Sequence, residues 1–227
     1  MRLLAVAAAA GAFAAMATPA AAASDGWSGC YIGVNGGYGW SDAAFAYTKE
    51  DPPSDYGAHT ATGPLAGGQA GCDLSTGSWV LGSAATFDWA NITGSHDYFV
   101  EADESRESSK TSALETLTAR VGYLVQPAFL IYAKGGVAWT QNSFEDLFIA
   151  DQNATPSLAN DTATGWTAGI GGEYRFAPKW SAFLEADYAD FGTRHVTYVD
   201  GGSSFWYAVK QNLATVLFGI NYRFAGR

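Results

Sequence analysis

Over 214–224 the even positions Val216, Phe218, Ile220, Tyr222 and Phe224 are apolar or aromatic, while Thr215, Gly219, Asn221 and Arg223 fall on the odd face. A period of two belongs to a β-strand with one oily and one polar face. In a soluble sheet the oily face is the core; in a membrane barrel it meets lipid, and the polar face fills the interior. The pattern recurs and predicts strands over 31–47, 61–74, 78–90, 112–125, 129–143, 162–176, 180–198 and 207–224. Short connections at Ser75-Thr76-Gly77, Gln126-Pro127-Ala128 and Ala177-Pro178-Lys179 each hold the Gly or Pro of a tight turn. The others, near 48–60, 91–111, 144–161 and 199–206, are long, polar and acidic.

Short turns alternating with long loops are the layout of an outer-membrane barrel with its short turns in the periplasm, and an even strand number leaves both termini there. The expected fold is therefore all-β: an eight-stranded antiparallel transmembrane β-barrel, an up-and-down meander. Its strands exceed the roughly 9 to 11 tilted residues that cross a bilayer, so they should project on the loop side. Aromatics gather at strand ends in two girdles: Tyr31, Trp79, Tyr123, Phe129, Tyr174, Phe176, Trp180, Tyr222 and Phe224 near the short turns, and Trp40, Phe87, Trp89, Trp139 and Phe191 towards the loops. A soluble barrel of lipocalin type is the fold-level alternative, which partitioning into the aqueous phase would reveal.

The N-terminus supplies an address. Arg2, an Ala-rich apolar run and Ala21-Ala22-Ala23 make the layout of a secretory signal peptide over 1–23, leaving one barrel domain over 24–227. The formal charge of −10 becomes more negative once Arg2 is removed, so no nucleic-acid partner is expected. No mature stretch approaches the roughly 20 apolar residues of a transmembrane helix.

Phasing each strand with its oily face outward sends Asn35, Gln69, Asp88, Arg120, Lys134, Glu173, Arg175, Glu185, Asp187, Asn221 and Arg223 inward. Asp88, Arg120, Lys134, Glu173, Arg175, Glu185, Asp187 and Arg223 then form an interior ion network, four cations against four anions that can pair completely. Phe183 and Leu217 break the rule by pointing inward, and Lys210 by pointing outward. Glu185 and Asp187 also have the spacing of a catalytic carboxylate pair, but strand periodicity alone produces it. His59, His96 and His195 fall in or beside outer loops without ligand-like spacing, and neither a metal nor a cofactor is expected. Asp190, Arg194 and His195 are the one candidate acid–base group; the main expectation is no enzyme. The run Glu101, Asp103, Glu104, Glu107 with Arg106 and Lys110 reads as a solvated loop, with weak divalent-cation binding beside lipid head groups as the rival reading. Cys30 and Cys72 sit at the periplasmic ends of adjacent strands and share the outward phase, placing them for a disulfide in an oxidising compartment. Two unpaired thiols are the alternative.

W-S-G-C-Y-I-G-V-N-G-G-Y-G-W (27–40), G-S-W-V-L-G-S-A-A-T-F-D-W-A-N-I (77–92), L-T-A-R-V-G-Y-L (117–124), Y-A-K-G-G-V-A-W (132–139), G-W-T-A-G-I-G-G-E-Y-R-F (165–176) and the terminal F-G-I-N-Y-R-F stand in order along the chain. Together they resemble the small porin-like outer-membrane proteins of alphaproteobacteria. The resemblance implies an OmpA-like eight-stranded barrel in the Gram-negative outer membrane, exposed at the cell surface. It also implies insertion by the barrel-assembly machinery, which would read Tyr222 and Phe224 as the assembly signal. Cys30 and Cys72 stand where the family usually has aromatics, and Ala84 and Thr86 where it usually has acidic residues. No peptidoglycan-binding domain is expected after Arg227. The resulting expectation is an outer-membrane barrel with a structural or surface role that leaves room for weak porin activity. Its expected partners are outer-membrane lipid, lipopolysaccharide, the assembly machinery and external ligands met by acidic loops. A genuine diffusion channel for small solutes and an outer-membrane enzyme using Asp190 and His195 are the rival functions.

Overall fold

Alternation of outward apolar and inward polar or small residues lets each segment pair on both edges, and the eight pairings close on themselves. The structure, a computed structural model, describes residues 26–47, 54–100, 103–148, 156–200 and 203–224; the segment 1–23, read from the sequence as a signal peptide, and the acidic residue Glu101 lie outside the described residues. The strands are β1 (Gly29–Tyr47), β2 (Ser54–Thr76), β3 (Trp79–Val100), β4 (Asp103–Gln126), β5 (Phe129–Phe148), β6 (Ser157–Ala177), β7 (Trp180–Asp200) and β8 (Ser203–Arg223). Each pairs antiparallel with its sequence neighbours, and β1 pairs with β8 from Tyr31↔Arg223 to Ala46↔Ala208 to complete the barrel. The turns are two residues long, Gly77-Ser78, Pro127-Ala128 and Pro178-Lys179. Gly77 has a φ of +60°, a left-handed conformation that glycine adopts without a Cβ penalty.

The lipid-facing band is bounded by exposed aromatics. Trp79, Tyr123, Tyr174, Phe176, Trp180 and Phe224 ring the short-turn end, and Trp40, Trp89, Trp166 and Tyr188 ring the other. Between them Val34, Leu81, Val121, Ile131, Val137, Ile170, Leu184, Val216 and Phe218 face outward. Two aromatics assigned to the girdles from sequence are interior instead. Tyr31 is buried among guanidinium groups and Phe191 in the core, because each shares the inward parity of its strand.

The segments read as long loops are mostly strand. β3 runs to Val100 and β4 starts at Asp103, so almost all of 91–111 is a paired ladder, and the strands reach 19 to 24 residues. About half of that length crosses the bilayer; the rest rises beyond it as a turret. The physical reason is an inversion of phase. Outside the membrane the outer face meets water, so apolar residues move to the inner face: Ala43, Phe45, Phe144, Ala159, Val196 and Val209 form a core cluster there. Ala44, Glu145, Thr197 and Lys210 face out.

Candidate functional site in the barrel interior

An eight-stranded barrel has a bore that side chains can fill, and here they fill it in layers. At the periplasmic mouth the residues before β1 fold under the barrel, and Trp27 inserts as a cork, 1% exposed, against Val80, Leu130 and Tyr132. Its indole Nε1 donates to the Pro127 carbonyl at 3.0 Å. The guanidinium groups of Arg175 and Arg223 lie 5.1 and 5.7 Å from its ring.

Above the cork lies a layer of two carboxylates and two guanidinium groups. Arg120 donates from Nε to Asp73 Oδ1 at 2.9 Å and from Nη2 to Asp73 Oδ2 at 2.5 Å, a bidentate fork, and from Nη1 to Glu173 Oε2 at 3.0 Å. Arg223 Nη1 stands 2.8 Å from Asp73 Oδ2 and donates to the Trp27 carbonyl at 2.7 Å. Ser181 and Asn221 complete Glu173, donating to its Oε1 at 2.5 and 3.1 Å. Tyr31 and Tyr132 sandwich the Arg120 guanidinium at 5.0 and 4.9 Å. Asp73 is absent from the network inferred from sequence, yet it is the centre of this layer.

The next layer is Lys134, whose Nζ donates to Glu185 Oε2 at 2.6 Å and lies 3.1 Å from Asp187 Oδ2. Tyr132 donates its hydroxyl to Glu185 Oε1 at 2.7 Å. Asp88, 1% exposed, makes no ion pair among the described residues; the Asn35 amide lies beside it, outside good hydrogen-bond geometry. The complete pairing expected of the network therefore does not occur. Arg175 is at the mouth, donating to the Pro127 carbonyl at 3.2 Å, and the carboxylates around Lys134 outnumber the cation. A cavity of about 20 Å³ lies here, lined by Asp88, Asp187, Lys134 and the hydroxyl-bearing Thr86, Thr116 and Thr215; it is enough for a water molecule.

Beyond it Leu65, Ile92, Leu114, Phe183, Phe191, Leu213 and Leu217 close the bore with an apolar layer. Phe183 and Leu217, the inward exceptions to the polar-face rule, belong to it. Then comes a neutral network in which Gln211 Nε2 donates to Ser41 Oγ and to Asn142 Oδ1, each at 3.2 Å.

The remaining chemical candidates are rearranged. Arg194 turns inward, donates to Asp161 and to Gln211 Oε1, and is engaged there. Asp190 and His195 face outward, and Asp190 accepts the amide of Gly192 at 2.7 Å. The register shift between Asp190 and Thr193 turns Arg194 inward and leaves Asp190 and His195 on the outer face, so the three do not form one acid–base group. The acidic run is not a solvated loop either: Glu107 is buried on the inner face of β4, while Arg106 faces out and binds Asp97. That hydrogen bond lowers the Asp97 carboxyl below its ordinary range. Cys30 and Cys72 are cross-strand partners on the outer face and are joined by a disulfide. Tyr222 and Phe224 stack edge to face at 5.4 Å, at the periplasmic end of the seam between β8 and β1.

His59 and His96, far apart in sequence, meet inside the turret. Burial, reinforced by His96, pushes the His59 imidazole down to about 4, which keeps it neutral near pH 7.

Residues 5–224 match the family model of the outer membrane protein beta-barrel domain. A 31 kDa outer-membrane immunogenic protein of Brucella melitensis is 32% identical over 204 residues, covering 87% of this chain and 84% of that protein. A 25 kDa outer-membrane immunogenic protein of Brucella abortus is 27% identical, covering 87% and 79% respectively. Among solved structures, the outer membrane protease OmpT from Escherichia coli aligns with a TM-score of 0.53 at 9% identity, over 86% of this chain and 97% of that one; this likeness is one of barrel fold alone.

Proposed function

The chain belongs to the outer-membrane β-barrel family and is an outer-membrane protein, and from that premise we propose that it works as a closed surface barrel rather than as an open pore. The observation that carries this reading is the filled bore. The Trp27 cork, the Asp73–Arg120–Glu173–Arg223 layer and the apolar layer at Ile92, Phe183 and Leu213 stand one above another across the bore, and the cavity beside Lys134 holds about 20 Å³. A hydrated ion or solute needs a continuous polar path, which a buried apolar layer denies it.

Function then resides in the turret. Its strands, paired between β3, β4 and β5 and between β7, β8 and β1, carry a charged outer surface suited to external ligands. The Brucella relatives are named immunogenic, and a rigid surface projection fits such exposure here. Lipid and lipopolysaccharide surround the outer band, and the assembly machinery reads the end of β8 at Tyr222 and Phe224. With Asp190 and His195 on one face and Arg194 on the other, no catalysis is assigned.

Single-channel recording of the refolded mature protein in a planar bilayer tests the reading. Well-folded wild-type protein, identified by its heat-dependent gel shift, should be electrically silent. Discrete openings that change with Arg120→Ala combined with Glu185→Ala would replace this reading with the porin one.

A further inference from the structure

Strands β2, β3 and β4 leave the membrane side by side and bring two imidazoles together on their inner face. His59 Nδ1 and His96 Nδ1 are 2.9 Å apart, and His59 Nε2 lies 2.6 Å from Ser109 Oγ. Phe45 stacks on the His59 ring at 5.6 Å and sits 5.8 Å from that of His96, forming an apolar wall. On the far side of His96, Gly57 has a φ of +93°, and a Cβ there would stand 2.7 Å from His96 Nε2. Glycine thus leaves the slot that this ring occupies. Both rings are half-buried, and Glu107, opposite His96 in the β3–β4 ladder, is buried on the same face.

We propose that His59 and His96 bind one divalent transition-metal ion of the Cu²⁺, Ni²⁺ and Zn²⁺ class inside the extracellular turret. Imidazole nitrogens hold such ions at about 2.0–2.1 Å. Two of them on neighbouring corners of a square or octahedral ion stand about 2.9 Å apart, and two on a tetrahedral ion about 3.3 Å. The observed Nδ1–Nδ1 separation matches the first and falls a few tenths of an ångström short of the second.

The protons balance. Two neutral imidazoles carry one N–H each, and the Nδ1–Nδ1 contact uses one of those protons. When His59 Nε2 donates to Ser109 Oγ, its Nδ1 presents a lone pair; the His96 proton moves from Nδ1 to Nε2, and both Nδ1 atoms face the ion with no net release. A hydrogen-bonded partner on the second ring nitrogen is the usual support of a metal-binding histidine. Among the described residues no third His, Cys, Asp or Glu completes a ligand group, so water fills the other positions. Imidazole ligands without carboxylate or thiolate place Cu²⁺ first in affinity.

Calorimetric titration of the untagged mature barrel in detergent with Cu²⁺ and Ni²⁺ tests the site. Wild type should take up one ion. His59→Ala and His96→Ala, each shown to fold by heat-dependent gel shift, should weaken uptake by more than the about 10–100-fold typical of losing an outer-sphere partner, and Ser109→Ala by an amount within that range. His195→Ala, which removes an outward imidazole, should bind as wild type does. Copper electron paramagnetic resonance should resolve two coupled nitrogens in wild type and one in either single variant. Uptake that is absent in wild type, or equal in wild type and the His59→Ala/His96→Ala double variant, would overturn the proposal.

Discussion

Two buried aspartates on the inner face show how differently one residue type can be held. Asp73 accepts a bidentate fork from Arg120 and faces Arg223 at 2.8 Å, whereas Asp88 has no ion pair among the described residues. Removing one partner of a buried ion pair leaves the other charge stranded, at a cost of about 3–5 kcal/mol. Asp73→Ala leaves the Arg120 and Arg223 guanidinium groups to share Glu173 alone and should destabilise the barrel by about that much, read as a lower urea midpoint in lipid or detergent. Asp88→Asn removes an uncompensated charge, and the same titration should show an unchanged or higher midpoint. Equal losses in the two variants would contradict the pairing described. Asp73 is legible in the sequence, since it lies four positions from Gln69 on one strand face. The lack of an ion pair at Asp88 is not, because parity states that a residue faces inward and says nothing of which neighbour its oxygens reach.

At the scale of elements, the membrane portion of each strand can be read from the chain and the extramembrane portion cannot. In 214–224 lipid imposes one phase, with Val216, Phe218 and Ile220 outward. In β5 the phase has inverted by Phe144, which is buried while Ser143 and Glu145 face out. A polar segment with inverted alternation and scattered Ser and Thr passes for a loop, because strand propensity depends on what each face meets. Trp27 is illegible for another reason: it precedes β1, and no periodicity covers it. Its replacement by Ala should cost about 3–5 kcal/mol, the range for emptying a buried aromatic site, and free the faces of Arg175 and Arg223. Because the ion layer and the apolar layer lie beyond it, Trp27→Ala should still not conduct in a planar bilayer. The Cys30–Cys72 staple binds two strands that the ladder already pairs. Its reduction should lower stability by about 2–4 kcal/mol, seen as a urea midpoint shift on adding reductant, while the heat-modifiable gel band persists.

For the whole molecule, the inversion of phase divides the barrel into two bodies that share strands but answer to different solvents. Below the upper girdle, lipid outside and buried charge inside hold the wall. Above it, water lies outside, and the cluster of Phe45, Phe144, Val196 and Val209 holds the strands together. The amides of 105–111 are in ladder on both edges, and those of 92–97 that point at β4 are in ladder with it, so in hydrogen exchange they should be protected over minutes or longer, where a solvated loop would exchange at once. A charge placed in the turret core should separate the two bodies. Phe144→Asp introduces a carboxylate among Phe45, Ala159, Val196 and Val209, a substitution that burial penalises heavily. The expected result is loss of protection in 92–97 and 105–111 with the heat-modifiable barrel intact, since the girdles, the Arg120 layer and the Lys134 layer are untouched. Loss of the membrane barrel along with the turret would show that the strands fold as one cooperative unit from end to end. The surface geometry could then not be altered without altering insertion itself.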